Sequence, residues 1–215
     1  MCIRDRSISA KYDSTIGPLP TPTRTGYTFT GWYTASNGGT VRNYTKMPAY
    51  NETLYAHWDV NTYQIKYDGN GATSGSMSNS TGIKWNSTVS LTKNAYAKNH
   101  TVTFNYNGAT GGNTEKTRNK NFSFNSWNSI AIGGGNRYTD GQSVVNLAST
   151  QGAIVNLYAQ WNIPTYGELP KPTRNYTVTY NHNYTGSTDT TAISTYVFEG
   201  WFKESGPVSY THLTL

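Results

Sequence analysis

Leu54-Tyr55-Ala56-His57-Trp58 returns later in the chain as Leu157-Tyr158-Ala159-Gln160-Trp161. In a β-strand alternate side chains share a face, so Leu157, Ala159 and Trp161 line one side while Tyr158 and Gln160 line the other. Working outward, an aromatic-x-Phe-x-small-Trp motif occurs as Tyr27-Thr28-Phe29-Thr30-Gly31-Trp32, Phe122-Ser123-Phe124-Asn125-Ser126-Trp127 and Tyr196-Val197-Phe198-Glu199-Gly200-Trp201. Leu19-Pro20-Thr21-Pro22-Thr23-Arg24 is echoed by Leu169-Pro170-Lys171-Pro172-Thr173-Arg174. Thr101-Val102-Thr103-Phe104-Asn105-Tyr106-Asn107 matches Thr177-Val178-Thr179-Tyr180-Asn181-His182-Asn183, with a looser copy in Gln64-Ile65-Lys66-Tyr67-Asp68-Gly69-Asn70. Such internal self-similarity is the signature of a repeat architecture.

Because the motifs keep their order, the chain divides into three expected modules: 11–59, whose opening strand has been lost; 60–162, lengthened by an inserted strand motif; and 163–207, cut short at its end. The expected fold is mainly β, a series of small β-rich modules with little or no helix. Asn37-Gly38, Asn70-Gly71 and Asn107-Gly108 mark tight turns, since both residue types tolerate positive φ. The Pro-x-Pro segments cannot donate to a ladder and should run as edge or connecting stretches. Between Ser143 and Ala159 there is room for one helical turn, but Gly152 interrupts it.

The termini carry a different signal. Met1-Cys2-Ile3-Arg4-Asp5-Arg6 and Val208-Ser209-Tyr210-Thr211-His212 can be encoded by opposite strands of one short DNA, ATGTGTATAAGAGACAG and its complement. Residues 1–6 and 208–215 therefore read as translated sequencing-adapter ends, and are set aside in reasoning about the fold. Removing Arg4, Asp5 and Arg6 takes the net charge from +6 to +5, and removing Cys2 leaves no cysteine. Any signal peptide or anchor would then lie in flanking sequence.

Composition narrows the function classes. Charged residues are 13% of the chain, about half the usual roughly 25%, and aromatics reach 14%, which excludes a disordered polyelectrolyte. No apolar run approaches the roughly 18 residues of a membrane-spanning helix. The basic excess is scattered, without the stripe that marks a nucleic-acid interface, so no nucleic-acid partner is expected; anionic wall polymers, host glycans or proteins fit equally well.

Candidate reactive groups fail an internal comparison. His57 stands where the second module has Gln160, His182 opposite Tyr106, and His100 opposite Tyr176; His212 lies in the adapter-like end. Each is matched by a residue unable to do its acid–base work. No Cys–His pair or zinc-ligand spacing exists. Asp68-Gly69-Asn70-Gly71 begins like a calcium loop, yet Ala72, Thr73 and Asn79 stand where an EF-hand needs Asp/Asn, Gly and Glu. Gly133-Gly134-Gly135 lacks the Lys-Ser/Thr of a phosphate loop. No catalytic, cofactor-binding or metal-binding residue is assigned, no cofactor is expected, and the chain reads as non-enzymatic. Trp32, Trp127 and Trp201 are expected in module cores, with Trp58 and Trp161 ending strands. Trp85 has no repeat partner and is the best single candidate for a surface role. The 18 tyrosines exceed what three small cores can hold, so some should be exposed and adhesive.

The segment from Pro18-Leu19-Pro20-Thr21-Pro22-Thr23-Arg24-Thr25-Gly26-Tyr27 through Trp32-Tyr33, closing with Leu54-Tyr55-Ala56-His57-Trp58, resembles the Listeria–Bacteroides repeat, the module related to the B repeat of internalin B. The resemblance implies small β-grasp-like domains in tandem, without catalytic residues, within large secreted or surface-attached bacterial proteins. The expected role is a stalk, spacer or adhesive array outside the cell; the alternative is a carbohydrate-binding accessory module of a secreted hydrolase.

Overall fold

The computed structural model describes residues 7–109, 111–113, 115–165, 167–180 and 190–196; for 175–180 and 190–196 it describes the backbone alone. Trp201 and His182, like the adapter-like ends, lie outside these residues. Among the described residues there is no helix, and the strands are β1 (Tyr27–Tyr33), β2 (Val41–Arg42), β3 (Tyr55–Val60), β4 (Thr62–Asp68), β5 (Ser80–Lys84), β6 (Thr88–Ser90), β7 (Lys98–Thr103), β8 (Gly111–Gly112), β9 (Thr117–Asn128), β10 (Arg137–Tyr138), β11 (Ser143–Val145), β12 (Ala153–Asn162), β13 (Pro172–Tyr180) and β14 (Thr190–Tyr196). The chain is mainly β, as its alternating pattern predicts. The window from Ser143 to Ala159 forms β11, a turn at Gly152 (φ +72°) and the start of β12, without a helical turn.

The strands fall into two compact units. One comprises Met1–Tyr96 with Phe124–Trp161, the other Ala97–Ser123 with Asn162–Leu215, each considered through its described residues.

The first unit contains the same small sheet twice. β2-β1-β3 is antiparallel between β1 and β3, with Trp32 opposite Ala56 and Phe29 opposite Trp58. β10-β9-β12 has the same order. The short edge strands are placed alike: Arg42 stands opposite Trp32, and Tyr138 opposite Trp127. Each sheet carries one aromatic triad. Phe29 lies edge-on between Trp32 (5.6 Å) and Trp58 (5.5 Å), and Phe124 lies between Trp127 (5.2 Å) and Trp161 (5.9 Å). The quadrupole of the rings favours such tilted and edge-to-face pairs over face-to-face stacking.

The second sheet continues past β12. There β4 joins in parallel, with Ala153 opposite Tyr63 and Tyr158 opposite Asp68, and β5 follows antiparallel. Parallel pairing requires a long connection, supplied here by residues 69–152. This extension seals a core of Tyr63, Ile65, Tyr67, Ile83, Leu91, Trp127, Val144, Leu157 and Ala159. Val144 comes from the two-stranded ribbon β6–β11. Leu157 and Ala159 are fully buried, on the face expected of them. The equivalents Leu54 and Ala56 are only half-buried, and so is Trp32.

In the second unit, β7 pairs with the first half of β9, and β13 pairs with β14 along 174–180 and with β8 at Pro172 and Thr173. Phe104 is its buried aromatic. The Pro-x-Pro segments behave as their missing N–H groups require: residues 19–23 belong to no ladder, and Pro172 is the first residue of β13.

Two of the three Asn-Gly pairs are turn centres with both φ angles positive. Ala72 N–H donates to the Gly69 carbonyl around Asn70-Gly71, and Ala109 N–H donates to the Tyr106 carbonyl around Asn107-Gly108. The residue two before each Asn caps the turn, Asp68 accepting from Asn70 N–H and Asn105 from Asn107 N–H. The third site differs, since Gly38 and Gly39 take the positive φ values there.

Candidate functional site

The first repeat presents a shallow depression of about 620 Å³ lined by Arg24, Tyr33, Asn37, His57, Trp58 and Asp59, among others. It lies along β1 and β3 and the loop that follows β1. The His57 imidazole is stacked on Tyr33, centroids 4.0 Å apart and planes 8° from parallel, and its Nε2 donates to the Ala35 carbonyl at 2.9 Å. Arg24 lies outside the strand with its guanidinium 3.8 Å from the centre of the Tyr27 ring. The surface can stack on and hydrogen-bond a flat ligand. Acid–base chemistry is another matter, because His57 has a structural task. In the second repeat Gln160 Nε2 donates to the Ala131 carbonyl at 3.2 Å, tying down the corresponding loop. Imidazole and carboxamide thus do one job, that of an N–H donor to the loop after the Trp-bearing strand.

The remaining sequence candidates have structural surroundings. Asp68 accepts a backbone hydrogen bond, and the Asn70 side chain donates to the Ala131 and Ala159 carbonyls, so this loop is tied to the turn after β9 and to β12. The turn through Gly133-Gly134-Gly135 is tied to Asn128, whose Oδ1 accepts from Ile130 N–H and Gly135 N–H. No cluster of three His, Cys, Asp or Glu side chains occurs among the described residues. Shifted titrations are dispersed: the hydrogen bond to Glu52 pushes the Tyr44 hydroxyl up, burial raises Tyr63 and Tyr106, and the hydrogen bond from Arg118 draws Glu115 down. These groups share no cleft.

Trp85, singled out because it has no repeat partner, is half-buried and packed on Gly26. Beside it lies Asn61, which the sequence reading missed. Asn61 is 8% exposed and sits in the one-residue link between β3 and β4. Its N–H donates to the Gly26 carbonyl, its Oδ1 accepts from the Thr28 hydroxyl, its Nδ2 donates to the Ser149 carbonyl, and its carbonyl accepts from Trp85 N–H. One side chain and its peptide groups therefore rivet the first repeat to the second. A buried amide with every group satisfied rigidifies its surroundings. The only advance signal was a lone polar residue between two strands.

Repeated sheets, each with a Phe between two tryptophans, define a tandem-repeat β protein. Residues 5–57 match the family model described as the Listeria-Bacteroides repeat domain, so the resemblance carried by the Leu-Pro-Thr-Pro-Thr-Arg and Leu-Tyr-Ala-x-Trp motifs holds for that stretch. The chain is 31% identical over 151 residues, 66% of its length, to a protein of Evansella cellulosilytica named a putative Gly-rich membrane protein. A second protein of that organism, named a putative membrane protein, is 29% identical over 72% of the chain. Internalin H of Listeria monocytogenes is 40% identical over 70 residues, 32% of the chain and 13% of that protein. The aligned stretches span only 15% and 20% of the two Evansella proteins. No solved structure matches the chain. No helix among the described residues is long and apolar enough to cross a membrane.

Proposed function

We propose that the chain is a non-enzymatic segment of a bacterial secreted or cell-surface protein, in which modules at about 11–59, 60–162 and 163–207 act in series as a stiff spacer. The observation that carries this reading is the Asn61 rivet. A flexible linker would leave the backbone between modules solvated, whereas here the link is a single residue with its polar groups bonded to both sides. Kinship with Internalin H and with proteins named membrane proteins supports placement at the cell surface. The parallel pairing of β4 with β12, the first and last strands of the second module, is the feature that favours a β-grasp-like arrangement. Spin labels at exposed Thr30 and Thr81 test the spacer role by pulsed dipolar spectroscopy. A narrow distance distribution that broadens in an Asn61→Gly, Trp85→Ala variant is expected; a broad one in the unaltered chain overturns the reading.

A second reading, a carbohydrate-binding accessory module, is favoured by the open depression with stacked Tyr33 and His57 and neighbouring Trp58. Binding to a glycan panel that is lost in Tyr33→Ala would support it; absence of binding across the panel would remove it.

A further inference from the structure

We propose that Asn37 is a site of spontaneous covalent modification, its side-chain amide being lost as ammonia through ring closure with Gly38, while the same dipeptide at Asn70-Gly71 is protected by the fold. The inference stands independently of the spacer and glycan-binding readings.

Asn-Gly is the pair best suited to this reaction, because glycine has no side chain to hinder its own nitrogen. The glycine nitrogen gives up its proton to water and attacks the asparagine Cγ. Nδ2 then leaves as ammonia and a cyclic succinimide closes. Water opens the ring at either carbonyl, giving aspartate or isoaspartate. One water is consumed, one ammonia is released, and a neutral amide becomes a carboxylate. The chain holds Asn37-Gly38, Asn70-Gly71 and Asn107-Gly108. As dipeptides the three are equal, so the surroundings decide among them.

Ring closure needs a side chain free to turn back on the following peptide. At Asn70 it is not free: Nδ2, the leaving group, donates to the Ala131 carbonyl at 2.8 Å and the Ala159 carbonyl at 2.9 Å. The backbone there is fixed as well, with Asp68 holding Asn70 N–H and Ala72 N–H closing the turn onto Gly69. Asn107 is exposed, but its φ is +48°, its N–H is held by Asn105 and its carbonyl accepts from Arg174 at 3.2 Å. Asn37 has none of these restraints. It is exposed, its φ is not positive, and its side chain makes no hydrogen bond among the described residues. The loop is pinned at its base, where Thr34 N–H donates to the Thr40 carbonyl and Thr40 N–H to Thr34 Oγ1, which leaves Asn37 near the tip. A Cβ built on Gly38 would meet nothing within 4 Å. Aligned on Ala35 and Ala131, the carbonyls that take His57 and Gln160, Gly38 corresponds to Gly134, and a Cβ there would also meet nothing. Because β4 and its turn are in place in that second repeat, the open tip is a property of the loop itself.

The consequences differ as the protection does. Asn37 lines the depression with Arg24, His57 and Asp59, so conversion adds a negative charge to that lining. At Asn70 it would set an acceptor-only carboxylate against two carbonyls and break the tie between the β4 turn and β12.

Peptide mapping by mass spectrometry, with aspartate and isoaspartate separated, tests this on the full chain held folded in neutral buffer. Asn37 should convert first. Asn70 should be slower by about tenfold or more, since two hydrogen bonds must break before its ring can close. In urea, where the fold is gone, the three pairs should react at similar rates. Asn37→Gln should abolish the first acidic species on ion exchange and leave the conversion of Asn70 and Asn107 unchanged. Asn70 or Asn107 reacting as fast as Asn37 in the folded chain, or Asn37 intact there after the urea sample has converted, overturns the proposal.

Discussion

The five-membered ring of Trp85 sits directly over Gly26: a Cβ built on that glycine would fall 2.2 Å from ring carbons. Gly26 also has φ +78°, where a side chain is strained. Two independent reasons therefore exclude any other residue, one local and one owed to a neighbour distant in sequence. Gly26→Ala should cost roughly 2–3 kcal/mol in urea unfolding, about half from φ and half from displacing the ring. In a Trp85→Ala background the same change should cost only about 1 kcal/mol, leaving a coupling of about 1–2 kcal/mol. An additive double mutant would show that ring and glycine do not touch.

The two core tryptophans should respond differently. Trp127 is fully buried, and its Nε1 has no acceptor among the described residues. Trp32 is half-buried, and its Nε1 donates to the Pro20 carbonyl at 2.8 Å. Trp127→Ala should cost about 3–5 kcal/mol, as a large cavity does. Trp127→Phe should be milder than its volume loss alone suggests, because the change removes an unsatisfied donor. For Trp32→Phe the order reverses: little volume matters, and the lost hydrogen bond should cost about 1 kcal/mol. Thermal unfolding of the four proteins, unaltered chain included, would separate these effects.

His57→Gln should leave stability within about 0.5 kcal/mol of the unaltered chain, because Gln160 already performs the same donation in the second repeat. His57→Ala, which cannot donate, should cost about 1 kcal/mol. If the glutamine variant were as damaged as the alanine one, the stacking on Tyr33 would be the dominant contribution instead.

Much of this architecture was legible because its determinants are local. The aromatic-x-Phe-x-small-Trp motif placed Phe29 and Trp32, and Phe124 and Trp127, on strands where they form matching triads, and Leu157-x-Ala159 declared its buried face by alternation alone. The parallel pairing of β4 with β12 was not legible, since partners some ninety residues apart in the alignment of Tyr63 with Ala153 leave no local trace. Trp85, which the repeat comparison offered for a surface role, lies half-buried against Gly26 at the junction. A residue present in only one repeat serves an interaction unique to that repeat, and a junction is as good a cause as a ligand. Asn61 was missed because a buried junction amide is chemically indistinguishable, in sequence, from an asparagine in a turn.

The ion pair of Glu115 and Arg118 gives the second unit an acid-sensitive element. Arg118 Nε donates to Glu115 Oε1 at 2.9 Å and its second amino group to Oε2, a two-pronged geometry that strengthens a charged hydrogen bond. This hydrogen bonding holds the Glu115 carboxyl below its ordinary value of 4.5. A lowered carboxylate binds fewer protons in the folded than in the unfolded chain between the two values. Its stabilisation is therefore present above about pH 4.5 and lost as pH falls below it. Urea midpoints measured down through that range should fall more steeply for the unaltered chain than for Glu115→Gln. The side chains remain 31% and 16% exposed, so high salt should shrink the difference. Arg118→Ala should be the more damaging change, because Arg118 also donates to the Glu168 carbonyl at 2.8 Å and lies over the ring of buried Phe104. Equal pH slopes for the chain and its glutamine variant would remove Glu115 from the account of acid sensitivity.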